Sequence, residues 1–264
     1  AEPLMKRFLS SASIICLGAV LAGPALAQQA STTAPSALDV AERQQLRDEV
    51  RAYLLENPEV IMEALQVLEE RRELQAKQSD LDTLATNQAA IYDDGHSFVA
   101  GNPEGDVTIV EFSDYRCGYC KKAHPEITKL LKSDPNIRLI VKEFPILGPD
   151  SIAAGRMALA ALAVDPKKFN ELHEALIAYP GSLTEEVAYR IAENAGYAAE
   201  TLKEAAESDE TSRKLEENYR LAQELGLRGT PSFIIGDEVI RGYVPAEDME
   251  IIISETRDNA TTSN

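Results

Sequence analysis

Positive charge is scarce in this sequence of 264 residues: 26 Lys and Arg stand against 44 Asp and Glu, a net charge of −18. That deficit argues against a nucleic-acid-binding surface, which needs basic side chains at the phosphates. It also argues against adhesion to anionic lipid, and it fits simple solubility. Histidine is rare, with only His96, His124 and His173, and so is cysteine, with Cys16, Cys117 and Cys120. Structural zinc wants four ligands, and neither a CxxC…CxxC nor a CxxC…HxxxH pattern occurs. His124, seven residues after Cys117, therefore reads as a surface or capping residue. No internal repeat is present.

Long apolar runs are also lacking, with one short exception. Met5-Lys6-Arg7 is followed by an apolar run from Ile14 to Leu26 and by Ala25-Leu26-Ala27. A basic start, an apolar core and a small-x-small site predict a secretory signal over residues 5–27, cleaved after Ala27. The run is too short for a comfortable membrane span. Ala1 to Leu4 precede the natural-looking start at Met5 and read as an addition to it. Export to the periplasm removes Cys16 with the signal. Cys117 and Cys120 then remain as the only cysteines, in an oxidising compartment where thiols do not persist by default. No membrane insertion is expected after cleavage.

What is there has an order. Residues 28–38, QQASTTAPSAL, predict a flexible leader. Residues 39–92 predict a helical module and linker. Leu46, Val50, Tyr53 and Leu54 share one face of a first helix, and Ile61, Ala64, Leu65 and Leu68 one face of a second. Asn57 is the expected cap of that second helix, with Pro58 at its first position. Two short amphipathic helices cannot bury their faces alone, so self-association is favoured over docking on the rest of the chain. Residues 93–258 predict an α/β domain. VTIVEFS (107–113) and IRLIVKEF (137–144) are strands joined by a helix, which makes them parallel. Helices follow over about 149–225. A hairpin turns at Gly236-Asp237, then comes a closing helix and a disordered tail at 259–264.

The chemistry concentrates in DYRCGYCKK (114–122). Cys117 falls where a strand ends and a helix begins. The unpaired N–H groups of a first turn stabilise a thiolate there. Cys120 is one turn on and on the same face, placed to attack a mixed disulfide formed by Cys117. A structural Cys117–Cys120 disulfide would close a tiny loop and constrain the unfolded chain little. A Cu(I) site needs only two soft thiolates and stays open as an alternative. Far along the chain, GLRGTPSFII sets Thr230-Pro231 at the mouth of a strand, where a proline costs no ladder hydrogen bond.

With VEFSDYRCGYCKKAHPEI and GTPSFIIGDEVIRGY, the sequence resembles the DsbA-like branch of the thioredoxin superfamily over about 107–257. The resemblance implies a thioredoxin fold with an inserted helical domain. It also implies a cis bond before Pro231, with Thr230 and Pro231 docking the client backbone opposite the redox pair. Glu111, six residues before Cys117, matches a buried acid that aids proton transfer. Lys142, on the neighbouring strand, is placed as its partner. Gly118-Tyr119 replaces the Pro-His pair of strongly oxidising DsbA enzymes, and CGYC is similar to isomerases of the DsbC type. YLLENPEVIMEALQVLEERRE looks like the N-terminal region of the suppressor-of-copper-sensitivity protein C (ScsC) family. That likeness implies a trimeric disulfide isomerase that acts on misoxidised clients and is recharged by a membrane thiol reductant, without a cofactor. A DsbA-type dithiol oxidase is the nearest alternative. A Cu(I)-binding copper-tolerance protein is the alternative of a different class.

Overall fold

The computed structural model describes residues 39–262. The predicted signal, its cleavage site and the leader lie outside the described residues. The chain divides after Met62 into two units.

In the first unit, α1 (Val40–Glu56) opens with a capping box. Asp39 accepts from the Glu42 N–H at 2.9 Å, and Glu42 accepts from the Asp39 N–H at 2.8 Å, which satisfies two of the free donors of a helix start. Asn57 was expected to cap the second helix. Instead its Nδ2 turns back and donates to the Tyr53 carbonyl at 2.9 Å, closing the first helix. The next helix, α2 (Glu59–Thr86), starts after Pro58. No residue of α1 is buried, and Leu46, Val50, Tyr53, Leu55, Ile61 and Met62 are all exposed.

In the second unit, α2 still exposes Leu65, Leu68 and Leu74, but it buries Leu84. Between them Lys77 pairs with Glu238 at 2.6 Å, and Arg241 grips Asp80 with two bonds of 2.7 and 3.0 Å. A short α3 (Gln88–Tyr92) follows and buries Ile91.

The sheet has five strands in the order β1-β3-β2-β4-β5. These are β1 (Phe98–Gly101), β2 (Val107–Ser113), β3 (Ile137–Glu143), β4 (Ser232–Ile235) and β5 (Glu238–Arg241). The β2–β3 pair is parallel and is joined by α4 (Gly118–Ser133); every other pairing is antiparallel. The edge strand β1 was not expected from the sequence. Its four residues, ending in Gly101, carry little periodicity, and only pairing with β3 makes them a strand. Both β2 and β3 are β-branched and buried on both faces, as a central pair must be.

The two faces have separate cores. Ile109, Leu139, Val141 and Phe233 pack with α4 and with α10 (Ala246–Thr262). Val110, Phe112, Ile140 and Ile234 pack with Ile91 and with α9 (Asp209–Glu224). A third core belongs to the inserted helices α5 (Pro149–Val164), α6 (Pro166–Ile177), α7 (Glu185–Asn194) and α8 (Ala199–Glu207). It is built around α5, whose Ala154, Met157, Ala158, Ala160 and Ala161 are fully buried. Gly155 lets α5 approach Pro145, because a Cβ there would sit 2.9 Å from the proline ring. Ser208 separates α8 from α9 by accepting from the Thr211 N–H, as an N-cap does. The hairpin turns at Gly236, at φ 56°, which glycine adopts without strain. α10 runs on to Thr262, into the tail expected at 259–264, with Arg257 paired to both Asp106 and Asp134.

Candidate active site

The strand β2 ends at Ser113, and the chain turns through Asp114-Tyr115-Arg116 into α4. Asp114 organises this turn. Its carbonyl accepts from the Cys117 N–H at 2.9 Å. Its buried carboxylate accepts from the N–H groups of Arg116, Ile146 and Leu147 and from the Ser151 hydroxyl. One side chain thus ties the redox turn to the loop before α5. Sequence reasoning missed it, because an Asp beside a turn is unremarkable until its partners, about 30 residues on, are known.

Cys117 is the N-cap of α4, and Cys120 lies inside the first turn, fully buried. Both are free thiols. The Cys117 Sγ lies 3.1 Å from the Thr230 carbonyl oxygen. The Thr230–Pro231 peptide bond is cis. The Thr230 hydroxyl is buried and unpartnered among the described residues. Hydrogen bonding from Cys120, more than anything else, holds the Cys117 thiol down to about 5; the Cys120 and Tyr119 N–H groups add to it. The Cys120 thiol is pushed far up, first by that same bond to Cys117 and then by burial. One sulfur is ready as a nucleophile and the other holds its proton. Tyr119 projects into solvent, near the Tyr243 ring, and no neighbour crowds Gly118.

Glu111 is buried on β2. Burial pushes its carboxyl up to about 7, with a hydrogen bond from Ser113 opposing and the charge on Cys117 assisting. The expected Glu111–Lys142 pair does not form. The parallel register sets Glu111 beside Val141, and Lys142 beside Phe112. Side chains alternate along a strand, so the two groups occupy opposite faces of the sheet. Lys142 is fully buried and meets Asp94 at 2.5 Å and Ser97 at 3.3 Å. The pair, with the Ser97 and His96 hydrogen bonds, holds Asp94 down at about 2 against its own burial. Burial costs Lys142 more than Asp94 returns, and its ammonium stays below its ordinary range.

A second buried polar group lies behind the turn. The Tyr115 hydroxyl donates to Glu143 at 2.9 Å and lies 3.0 Å from His173 Nδ1. Burial first, then the charge of His124, holds His173 down to about 3, so it is neutral. His124 pairs with Glu174 at 2.8 Å. Among the described residues no group of three or more His, Cys, Asp or Glu is placed to hold a metal ion, and no helix is long and apolar enough to cross a membrane.

Fold and site together define a dithiol protein of thioredoxin architecture, with the inserted helices of one branch. The DSBA-like thioredoxin domain matches residues 108–254, more than half of the chain, and the chain belongs to that family. The copper resistance protein ScsC N-terminal domain matches residues 42–78. A thioredoxin-like oxidoreductase from Silicibacter pomeroyi is 39% identical, over 65% of this chain and 98% of its own, with a TM-score of 0.62. A linker-deleted ScsC mutant from Proteus mirabilis is 29% identical, over 86% of this chain and 100% of its own, with a TM-score of 0.64. The thiol:disulfide interchange protein DsbC of Escherichia coli is 24% identical, over 58% of this chain and 53% of its own. Two Na(+)/H(+) antiporters from Salinispora species are 28% and 25% identical, and the chain spans only 25% and 22% of their lengths.

Proposed function

We propose that this chain is a periplasmic protein disulfide isomerase, exported by the signal at residues 5–27 and acting through Cys117 and Cys120. The observation that carries the reading is the Cys117 sulfur at the N-cap of α4, 3.1 Å from the Thr230 carbonyl oxygen just before the cis Pro231. The Cys117 thiolate attacks one sulfur of a wrong disulfide in a client. The client S–S bond breaks, its second sulfur leaves as a thiolate, and a Cys117–client disulfide forms. That thiolate then attacks elsewhere in the client and releases Cys117, which is isomerisation. Otherwise Cys120 gives its proton to Glu111 and attacks Cys117, which reduces the client and leaves the enzyme oxidised. A membrane thiol reductant restores the dithiol. Thr230 and Pro231 hold the client backbone.

The isomerase direction is supported by the exposed apolar residues of α1 and α2, which another copy of the chain would cover. A closed assembly, a trimer by likeness to ScsC, would face its active sites inward and keep out the oxidase that recharges monomeric enzymes. The matching experiment is recovery of activity in a scrambled multi-disulfide substrate by the reduced chain. Recovery supports isomerisation. Oxidation of reduced substrate without recovery of the scrambled one assigns the chain as a dithiol oxidase. Stoichiometric Cu(I) binding with no disulfide exchange replaces both readings with copper tolerance, for which two adjacent thiols suffice.

A further inference from the structure

Glu111 does not end in a closed core. It borders a cavity of about 210 Å³ walled by β1, β2, β3, α4 and α6. The titratable lining is Glu111 from β2, His124 and Lys132 from α4, and His173 and Glu174 from α6; β1 and β3 contribute none. Thr128 and Asn170 add uncharged polar groups. A water takes up about 30 Å³ and needs two or more polar partners, so this cavity has the size and the lining for several. On its outer wall His124, with a side chain 18% exposed, lies 2.8 Å from Glu174, whose side chain is 49% exposed. A buried carboxyl and, across a cavity walled by both apolar and polar side chains, an imidazole paired with a half-exposed carboxylate thus share one space.

We propose that His124, paired with Glu174, is the outlet through which Glu111 returns to solvent the proton it takes from Cys120. The inference rests on the dithiol-exchange reading above and extends it. In the resolving step the Cys120 S–H bond breaks, its proton goes to the Glu111 carboxylate, and the new thiolate attacks Cys117. The Cys117–client bond breaks, and the client sulfur leaves with the electron pair. Glu111 is then neutral until it gives the proton up, either to solvent or back to Cys120 when the disulfide is next reduced. Its proton crosses the cavity to one ring nitrogen of His124, and the ring releases one towards Glu174 and solvent.

Energetics favour this route over its neighbours. Glu111 is raised to about 7, so it can both take and give up a proton near neutral pH. His173 borders the same cavity but is held at about 3, too low to carry a proton at neutral pH. Lys142, which the sequence suggested as the partner of Glu111, is on the other face of the sheet.

The test uses the full chain in dilute buffer. Turnover of oxidised glutathione, with dithiothreitol supplied to reduce the enzyme again, is followed from pH 5 to 8 for the native protein, His124→Gln and Glu174→Gln. Iodoacetamide uptake by Cys117 is measured separately. The expected result is a loss of roughly tenfold in turnover for His124→Gln, below the usual contribution of positioned acid–base groups because bulk water competes. Added imidazole at constant pH should restore it, with Cys117 alkylation unmoved. Turnover at the native rate, or a loss that imidazole does not restore, overturns the proposal. If His124→Gln does not fold, Glu174→Gln, altered at an exposed side chain, carries the same two outcomes. Slow alkylation of Cys117 in the native chain would instead sink the exchange reading itself.

Discussion

The helical stretch from Val40 to Leu74 and the catalytic domain treat the same kinds of side chain in opposite ways. In the domain, α4 turns Ala123, Ile127 and Leu130 inward, and the sheet covers all three. In the helical stretch, Leu46, Val50, Leu65 and Leu68 recur with the same helical spacing and stay exposed. Each buried Leu or Ile is worth about 1.5–3 kcal/mol, so one region gains stability from its apolar stripe while the other holds a stripe unused. Helical periodicity says that a face is apolar; it does not say what covers it. The polar groups differ as well. Those of the helical stretch lie in water, whereas Glu111, Lys142, Glu143 and His173 of the domain are buried, where burial moves their titration strongly.

Replacement of Cys117 by Ser gives the largest expected effect on the domain side. Exchange with any disulfide should vanish, while Cys120→Ser should trap mixed disulfides visible by non-reducing electrophoresis. Exchange that survives in Cys117→Ser would break the assignment of the nucleophile.

Removal of the residues up to Leu74 tests the other side. Leu84 and Asp80 are packed or paired in the domain, so the cut belongs before them. Light scattering should show a drop from oligomer to monomer, and recovery of scrambled substrate should be lost while simple dithiol oxidation persists. An unchanged mass would end the self-association argument.

Equal truncations sharpen the contrast. Phe112→Ala, in a fully buried site, should cost about 3–5 kcal/mol in denaturant unfolding. Leu65→Ala should change the stability of the domain by less than about 0.5 kcal/mol and act on assembly alone. Similar losses at both sites would mean that the helical face is already covered.

Glu111→Gln is expected to have a smaller, pH-dependent effect. The folded carboxyl titrates at about 7, above its unfolded value, so the folded state holds the proton more tightly. Its contribution to stability is fully present below the unfolded value and fades as the pH rises to about 7. Glu111→Gln should therefore be more stable than the native chain at pH 8, by about 3 kcal/mol, yet slower in exchange. Cys117 has the opposite sign. Its lowered thiol stabilises the reduced fold increasingly as pH rises from about 5 towards the ordinary thiol value, and the absorbance of the thiolate should show the low midpoint. Least of all, Arg241→Gln, which breaks a partly exposed pair with Asp80 and a bond to the Leu225 carbonyl, should cost about 1 kcal/mol and fade in salt.

The sequence by itself determined the β-helix-β order, the cysteine pair at a strand–helix junction, the Thr230-Pro231 entrance to a strand and the apolar stripes of the first two helices. All are local: they depend on period, on helix-end chemistry and on proline geometry, and each can be read within about 20 residues. Only the tertiary structure decided that Lys142 belongs with Asp94 rather than Glu111, because one residue of strand register exchanges the faces of a sheet. It also decided that Asp114 ties the redox turn to the loop before α5, and that His124, a plain surface residue by sequence, shares a cavity with Glu111. Partners distant along the chain become neighbours only when the strands and helices are stacked, and a charge takes its role from what that stacking leaves beside it.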